Sequence, residues 1–321
     1  ANRKRIEENS EAYFFSGISV EAYVSAGQKI SRSYGGAAGN DISSMIQSIT
    51  DEFVYSSSAK GVHSALKESV KFRVQKQNQF DATNGNHKFV IPNLTVDDTI
   101  DFLCKESDSD DHIPYYVFYE DSKGFNFKNL GTLVSQESKE TFTYAPSNFS
   151  GVYKDKKKDD YTEATNIRSF EVISQSDFLG NLEAGLYQSR NIFIDPLRKN
   201  KREVVYKYDD YISKFKKLQK FKIAGDQIDG DPIVRMHTSR HDHENDSLFS
   251  EESPSTKKFS EHLAQGEAYY SHIFNTQLEV VIPGDSELDV GDVITLRIPP
   301  ASNVLDQVNV DDKYLSGKYL I

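Results

Sequence analysis

Three histidines stand within a short acidic stretch, "HTSRHDHE": His237, His241 and His243, accompanied by Asp242 and Glu244. Imidazole and carboxylate are zinc ligands, and on a helix His237 and His241 would share one face. The pattern is not H-E-x-x-H, however, and the flanking residues are polar and loop-like. A solvated loop is therefore the expectation, with the three histidines kept as weak metal candidates. Replacing all three together should leave folding nearly unchanged. "ESDSDDH" (Glu106 to His112) offers oxygen ligands for calcium. It lacks the loop glycine and the spaced terminal glutamate of an EF-hand, so it reads as a helix end and turn. "SYGGAAGND" (Ser33 to Asp41) places glycines ahead of a helix, where free N–H groups could hold an anion, but it matches no nucleotide fingerprint. No G-x-S-x-G, P-loop or G-x-G-x-x-G occurs. With 49 acidic residues, carboxylate pairs at any spacing arise by chance. No catalytic residue and no cofactor are expected.

Composition narrows the class. The chain has 321 residues, enough for about two domains, and 37% of them are hydrophobic, enough for packed cores. Cys104 is the single cysteine, which excludes an intrachain disulfide and a Cys-rich zinc site and fits maturation in a reducing cytoplasm. No apolar run approaches the roughly 20 residues that span a bilayer. The first residues, "ANRKRIEENSEAYFF", carry no apolar core of a signal peptide. The absent initial Met and the abrupt end at Ile321 are expected of a piece of a longer polypeptide. The formal net charge is −11, a poor basis for sequence-independent DNA binding and a good one for a low-adhesion wall. The basic runs "KDKKKDD" and "KFKKLQKFK" read as solvated faces.

The elements follow from period and punctuation. "EAYFFSGISVEAYV" (Glu11 to Val24) reads as strand, turn, strand, broken at Gly17. Ile42, Met45, Ile46, Ile49 and Phe53 recur at helical spacing behind a cap at Asn40 or Asp41. "SSSAKGVHSALKES" and "RVQKQNQFDATNGNH" read as mobile polar connections. "NLTVDDTIDFLCKES" is a second helix with a Thr95–Asp98 capping box and an apolar face of Val96, Ile100, Leu103 and Cys104, which predicts a buried, inert thiol. "YYVFYE", "DSKG" and "FNFKNL" form a hairpin. "IRSFEVIS" and "NIFID" are strands, and Pro196 is a break. "DGDPIVRMHTSRHDHENDSLFSEESPS" is a long surface insertion. "TKKFSEHLAQGEAYYSHIFN" is helical, with Phe259, Leu263, Tyr270 and Ile273 near one face. Val280 to Ile298 reads as an antiparallel hairpin in which Leu278, Val280 and Ile282 alternate on one face and Ile294, Leu296 and Ile298 do the same on the returning strand, and "KYLSGKYLI" as a further strand, Tyr314 to Ile321, of the same barrel.

Taken in order, several stretches resemble the central hub subunit of contractile-tail phage baseplates, a fold shared with type VI secretion spike hubs. "EAYFFSGISV" resembles the closing strand of that family's first barrel. "ISRSYGGAAGNDISSMIQSI" is similar to its turn before an amphipathic helix. "FVIPNLTVDDTIDFLCKES" and "YYVFYEDSKGFNFKNLGTL" resemble its helix and hairpin. "GLYQSRNIFIDPLRK" resembles the lead into a second barrel, and "GEAYYSHIFNTQLEVVIPGDSELDVGDVITLRIPP" the helix and hairpin that close it. The resemblance spans about Glu11 to Ile321. The family has most of a barrel before this chain's first residue and more sequence after its last.

The resemblance implies an α+β, mainly β fold: tube-type antiparallel β-barrel domains with an inserted helix-plus-hairpin domain. It implies closing strands of a first barrel in residues 1–27 and a peripheral α+β domain in 28–150. The second barrel would take 160–225 and 266–321, with a surface insertion in 226–265. It implies a structural virion protein of the tail baseplate, assembled in the host cytoplasm, and no enzyme. The chain would be a homotrimeric adaptor between the six-fold tail tube and the three-fold spike, lining the DNA channel. Its partners would be the spike protein below, a tube or tube-initiator protein above, baseplate wedge proteins, and the tape measure protein and phage DNA in the lumen. Two other classes remain open: a cell-wall-degrading tail enzyme, and a host-surface or glycan-binding module. An exposed tyrosine cluster would favour the last.

Overall fold

The computed structural model describes residues 2–7, 10–14, 17–35, 41–55, 78–85, 87–109, 113, 115–121, 123–144, 165–175, 178–195, 199–211, 216–218, 232–238, 254–300 and 311–321. Their fold is mixed α+β, mainly β, built from several small sheets. No closed barrel is present among the described residues.

The chain opens on a hairpin, β1 (Asn2–Glu7) with β2 (Ser10–Phe14). The segment expected as the next strand is instead a helix, α1 (Val20–Ala26). Its β-branched residues suggested a strand, but the Ser19 side chain accepts from Ala22 N and caps a helical turn. Tertiary contacts hold it: Val24 and Glu21 are buried, and Ser25 Oγ donates to Asp97 Oδ2 at 3.1 Å. β3 (Lys29–Tyr34) follows and pairs with β5 (Phe89–Thr95).

α2 (Ile42–Ile49) forms as its spacing predicts, with Asp41 accepting from Ser44 N. It runs on into a π-helical turn, Thr50–Tyr55. α3 (Val96–Lys105) carries the expected cap: Thr95 Oγ1 accepts from Asp98 N at 3.2 Å and donates to Asp98 Oδ2 at 2.7 Å. Its face of Val96, Ile100, Leu103 and Cys104 is buried. α2 and α3 share one core with β3, β5 and the hairpin β6 (Tyr116–Glu120)–β7 (Phe125–Asn129). The hairpin turn is tied by Asp121, which accepts from Lys123 N and Gly124 N.

Residues 78–85, within the polar stretch before β5, are not the mobile connection that composition suggests. β4 (Gln79–Phe80) adds to β7 in parallel. Ala82 O accepts from Tyr116 Oη at 2.8 Å, Thr83 Oγ1 accepts from Ser43 N, and Asp81 forms a half-buried ion pair with Lys128. Backbone pairing and buried hydrogen bonds fix this segment although it lacks apolar periodicity.

After α4 (Leu130–Val134), β8 (Glu140–Thr143) leaves this unit and pairs in parallel with β14 (Val293–Arg297). β14 also pairs with β15 (Gly317–Leu320), so the C-terminal stretch is paired from Gly317 onward, in a three-stranded sheet. β9 (Ser169–Ser174) pairs with β13 (Gln277–Val281), and a Thr143–Asn166 bridge joins this pair to β8. The expected hairpin of Val280 to Ile298 is therefore corrected: its two halves, β13 and β14, are not neighbours and lie in different sheets. Alternation put the right residues inward, since Leu278, Val280, Ile282, Ile294 and Leu296 share one core with Phe142 and Ile167. It fixed the face of each strand without fixing its partner.

β10 (Gln188–Asp195), preceded by α5 (Phe178–Glu183), lies between β11 (Asn200–Lys207) and β12 (Ile233–Thr238). The "NIFID" strand is thus in a sheet separate from β13 and β14, against the expectation of one shared barrel. β11 runs into the short helix α6 (Tyr208–Tyr211). α7 (Pro254–Ile273) packs on β10 and β11. Its inward residues are Ala264, Gln265, Ala268 and Tyr269, whereas Tyr270, expected on the apolar face, is 40% exposed. Ile113, Leu130, Leu133 and Val134 share the core of α7 and β11, so the stretch 28–150 does not pack only on itself.

Candidate functional site

β12 falls inside the stretch expected to be a surface insertion, and it carries His237. The residue is on a strand, not on a helix as a metal-binding pair with His241 would need. His237 Nε2 lies 3.1 Å from Asn191 Oδ1, and its ring stacks on Phe193 at 5.0 Å. Asn191 in turn donates to Ser189 Oγ at 2.9 Å, and both of these are fully buried. The chain Ser189–Asn191–His237 satisfies buried polar groups across the β10–β12 pair. Asn191 donates to the serine oxygen and so leaves no base on it: this is structural wiring. His241, Asp242, His243 and Glu244 lie outside the described residues. Among the described residues, no three His, Cys, Asp or Glu come together as a metal site.

The calcium-like stretch begins at a helix end, as its sequence predicts. Glu106 ends α3, Ser107 Oγ donates to Leu103 O at 2.7 Å, and Asp108 O accepts from Asn84 N. Asp110, Asp111 and His112 lie outside the described residues. Of the glycine-rich "SYGGAAGND", Gly35 at φ +100° sits tight against the His87 backbone, and Gly36 to Asn40 are outside the described residues. Cys104 is free and buried, and desolvation pushes its thiol up to about 12. A nucleophilic role would need the opposite shift. The described surface hollow over Ser44, Gln47, Ser48, Asp51 and Glu52 is shallow and holds no catalytic pairing.

What the described residues do present is a sheet with an apolar outer face and open outer strands. Alternation turns Ser189, Asn191, Phe193 and Tyr206 toward α7. It turns Arg190, Ile192 and Ile194 to the other side, in register with Val205 on β11 and with Val234 and Met236 on β12. Val205 is 51% exposed, Val234 54% and Met236 70%. The Arg190–Glu203 ion pair crosses this face, and Lys201, opposite Ile194, and Lys207, opposite Gln188, border it with cations. β12 pairs only with β10 among the described strands, so its second edge offers unpaired N–H and C=O groups. β13 and β15 are likewise outer strands of their sheets.

On the inner side, Tyr208 of α6 and His272 in the last turn of α7 make a second polar contact, Oη to Nδ1 at 3.2 Å. Burial chiefly, and then the nearby Lys217 cation, lower His272 from 6.5 to about 4. Burial also pushes the Tyr208, Tyr206 and Tyr269 hydroxyls far up. Sequence reasoning passed over Asn191, Tyr208 and His272. The one available signal was the Tyr269-x-x-His272 spacing, which puts both on one helical face.

No protein-family model matches this chain, and no curated protein matches it in sequence. No described helix is long and apolar enough to cross a membrane.

Proposed function

We propose that the chain is a structural subunit of a ring, the central hub of a contractile-tail baseplate. It would be a homotrimer that joins a six-fold tail tube to a three-fold spike and lines the channel for DNA. The observation that carries the assembly reading is the apolar outer face of β11–β10–β12 beside an open strand edge. Exposed apolar residues in register on a sheet mark an interaction surface. An open edge is covered by closure or by a neighbour's strand. The occupant of that edge and face would be a second copy of the chain, repeated round a closed axis. The order of the hub-like motifs supports the tail setting, and the net charge of −11 suits a lumen that DNA passes without sticking. Tube-type barrels would form where the strands β15, β14, β8, β9 and β13 meet the strands of neighbours.

Sedimentation tests this directly. The chain of 36.4 kDa should sediment as a trimer. Val234→Asp with Met236→Asp should yield a folded monomer. A monomer at all concentrations, or an off-axis position in images of the labelled particle, would refute the hub.

One observation favours the host-surface reading as a second possibility. Tyr115, Tyr270 and Phe274 lie in series, tilted by 33° and 34°, with centroids 5.0 and 4.3 Å apart, at a partly exposed site. Sugar rings stack on such faces. Retention of the chain on cell-wall glycan, lost in Tyr270→Ala, would support that reading.

A further inference from the structure

The outer face of β11–β10–β12 has a counterpart on another sheet. In the β9–β13 pair, Phe170, Leu278 and Val280 face the core, and the alternate residues face out. Two of the outward residues are apolar: Ile173 is 61% exposed and Val281 45%. Between them along the strands stand two carboxylates, Glu171 and Glu279, which are direct cross-strand partners. Like charges set opposite each other destabilise a strand pair. Neither glutamate side chain has a hydrogen-bond or ion-pair partner among the described residues. The sheet has two strands only, so no third described strand brings a cation alongside.

The face of β11–β10–β12 has the opposite balance. Arg190, Lys201 and Lys207 stand on it or at its border against one carboxylate, Glu203, in a chain whose formal net charge is −11. Lys201 and Lys207 are exposed and make no ion pair among the described residues. Their apolar neighbours Val205, Val234 and Met236 are exposed as well. Each sheet therefore presents apolar surface with an excess of charge, and the two excesses differ in sign.

We propose that these two faces meet between copies: the cation-bordered face of β11–β10–β12 seats on the Glu171–Glu279 face of β9–β13 in a second copy of the chain. Ile173 and Val281 bury against Val205, Val234 and Met236, and the border lysines neutralise the glutamate pair. Apolar burial supplies the attraction, and the charges select which face is taken. Because the two patches differ, the contact is heterologous. Each copy turns one face to the copy ahead and the other to the copy behind, the arrangement that closes into a ring. A two-fold dimer through either face alone would set like charge on like charge. This pairing rests on the ring assembly proposed above and adds which face opposes which.

Charge exchange tests it, read by sedimentation of the full chain with circular dichroism as the check of folding. Glu171→Lys with Glu279→Lys makes both faces cationic, and Lys201→Glu with Lys207→Glu makes both acidic. Each double variant should lower the association constant by about 100-fold. Mixed in equal amounts, the two should associate again, and the chain carrying all four changes should recover the wild-type assembly. If a double variant does not fold, Glu279→Gln and Lys207→Gln each remove one charge and should flatten the salt dependence of association. A wild type that assembles while either double variant assembles equally well would overturn the pairing of faces and leave the ring standing. So would a folded four-change chain that stays monomeric, or a salt dependence that the single changes do not alter. A wild type that is monomeric at every concentration would remove both the pairing and the ring.

Discussion

Gly291 occupies a junction where one added methyl group should be felt in two distinct ways. Its φ is +92°, a backbone region that L-residues rarely adopt. Its N–H donates to Ile321 O at 3.0 Å, fixing the end of β15, and its carbonyl accepts from Gln136 Nε2 at 3.2 Å, holding the chain after α4. A Cβ at this position would stand 2.3 Å from Tyr119 Oη and 2.7 Å from Tyr119 Cζ, on the hairpin strand β6. Gly291→Ala should therefore carry a backbone term of about 1–2 kcal/mol for the left-handed conformation. An overpacking term of about 1–3 kcal/mol should add to it. The two parts separate in a double-mutant cycle. In a Tyr119→Ala background the steric partner is gone and only the backbone part should remain, giving a coupling of about 1–3 kcal/mol. Urea unfolding of the four proteins, with native-state hydrogen exchange of the β6, β14 and β15 amides, reads both quantities. If Gly291→Ala has the same effect with and without the Tyr119 ring, the packing of β6 against the β14 turn is wrong. If it has no effect in the wild type, the backbone argument fails as well.

Cys104 should react with a thiol reagent only through opening of the fold, because its thiol is buried and held near 12; fast stoichiometric labelling of the native chain at pH 8 would contradict this. Thr95→Ala removes the cap of α3 and should lower stability by about 1 kcal/mol in equilibrium unfolding; an unchanged midpoint would mean that the capping box carries no weight. His237→Ala leaves Asn191 Oδ1 buried without its partner, and should lower stability by about 1–3 kcal/mol; a neutral result would return His237 to the solvated loop that its flanking sequence suggested.

The parts legible in the sequence share one property: the residues that decide them lie within a turn or two of each other. The caps at Asp41 and Thr95, the apolar faces of α2 and α3, the burial of Cys104 and the Asp121 turn between β6 and β7 are local. Spacing, a side-chain oxygen near free N–H groups, or an aspartate in a turn is enough to set them. Ile294 and Leu296 were also assigned to an inward face correctly, because the period of a strand is a local matter.

Only the tertiary structure decided which strands pair and which polar groups meet. Any extended segment presents the same N–H and C=O groups to any edge, so sequence adjacency carried no information that β14 would take β8 and β15 while β13 took β9. Burial of Val24 and the Asp97 contact overrode β-propensity in α1. The polar run through Gln79 and Thr83 is held by backbone pairing that leaves no hydrophobic signature. His237 and Asn191 are 46 positions apart, and Tyr208 and His272 are 64 apart. Their contacts exist because β12 docks beside β10 and α7 lies across β11, positions set by the packing of the whole molecule rather than by any segment of it.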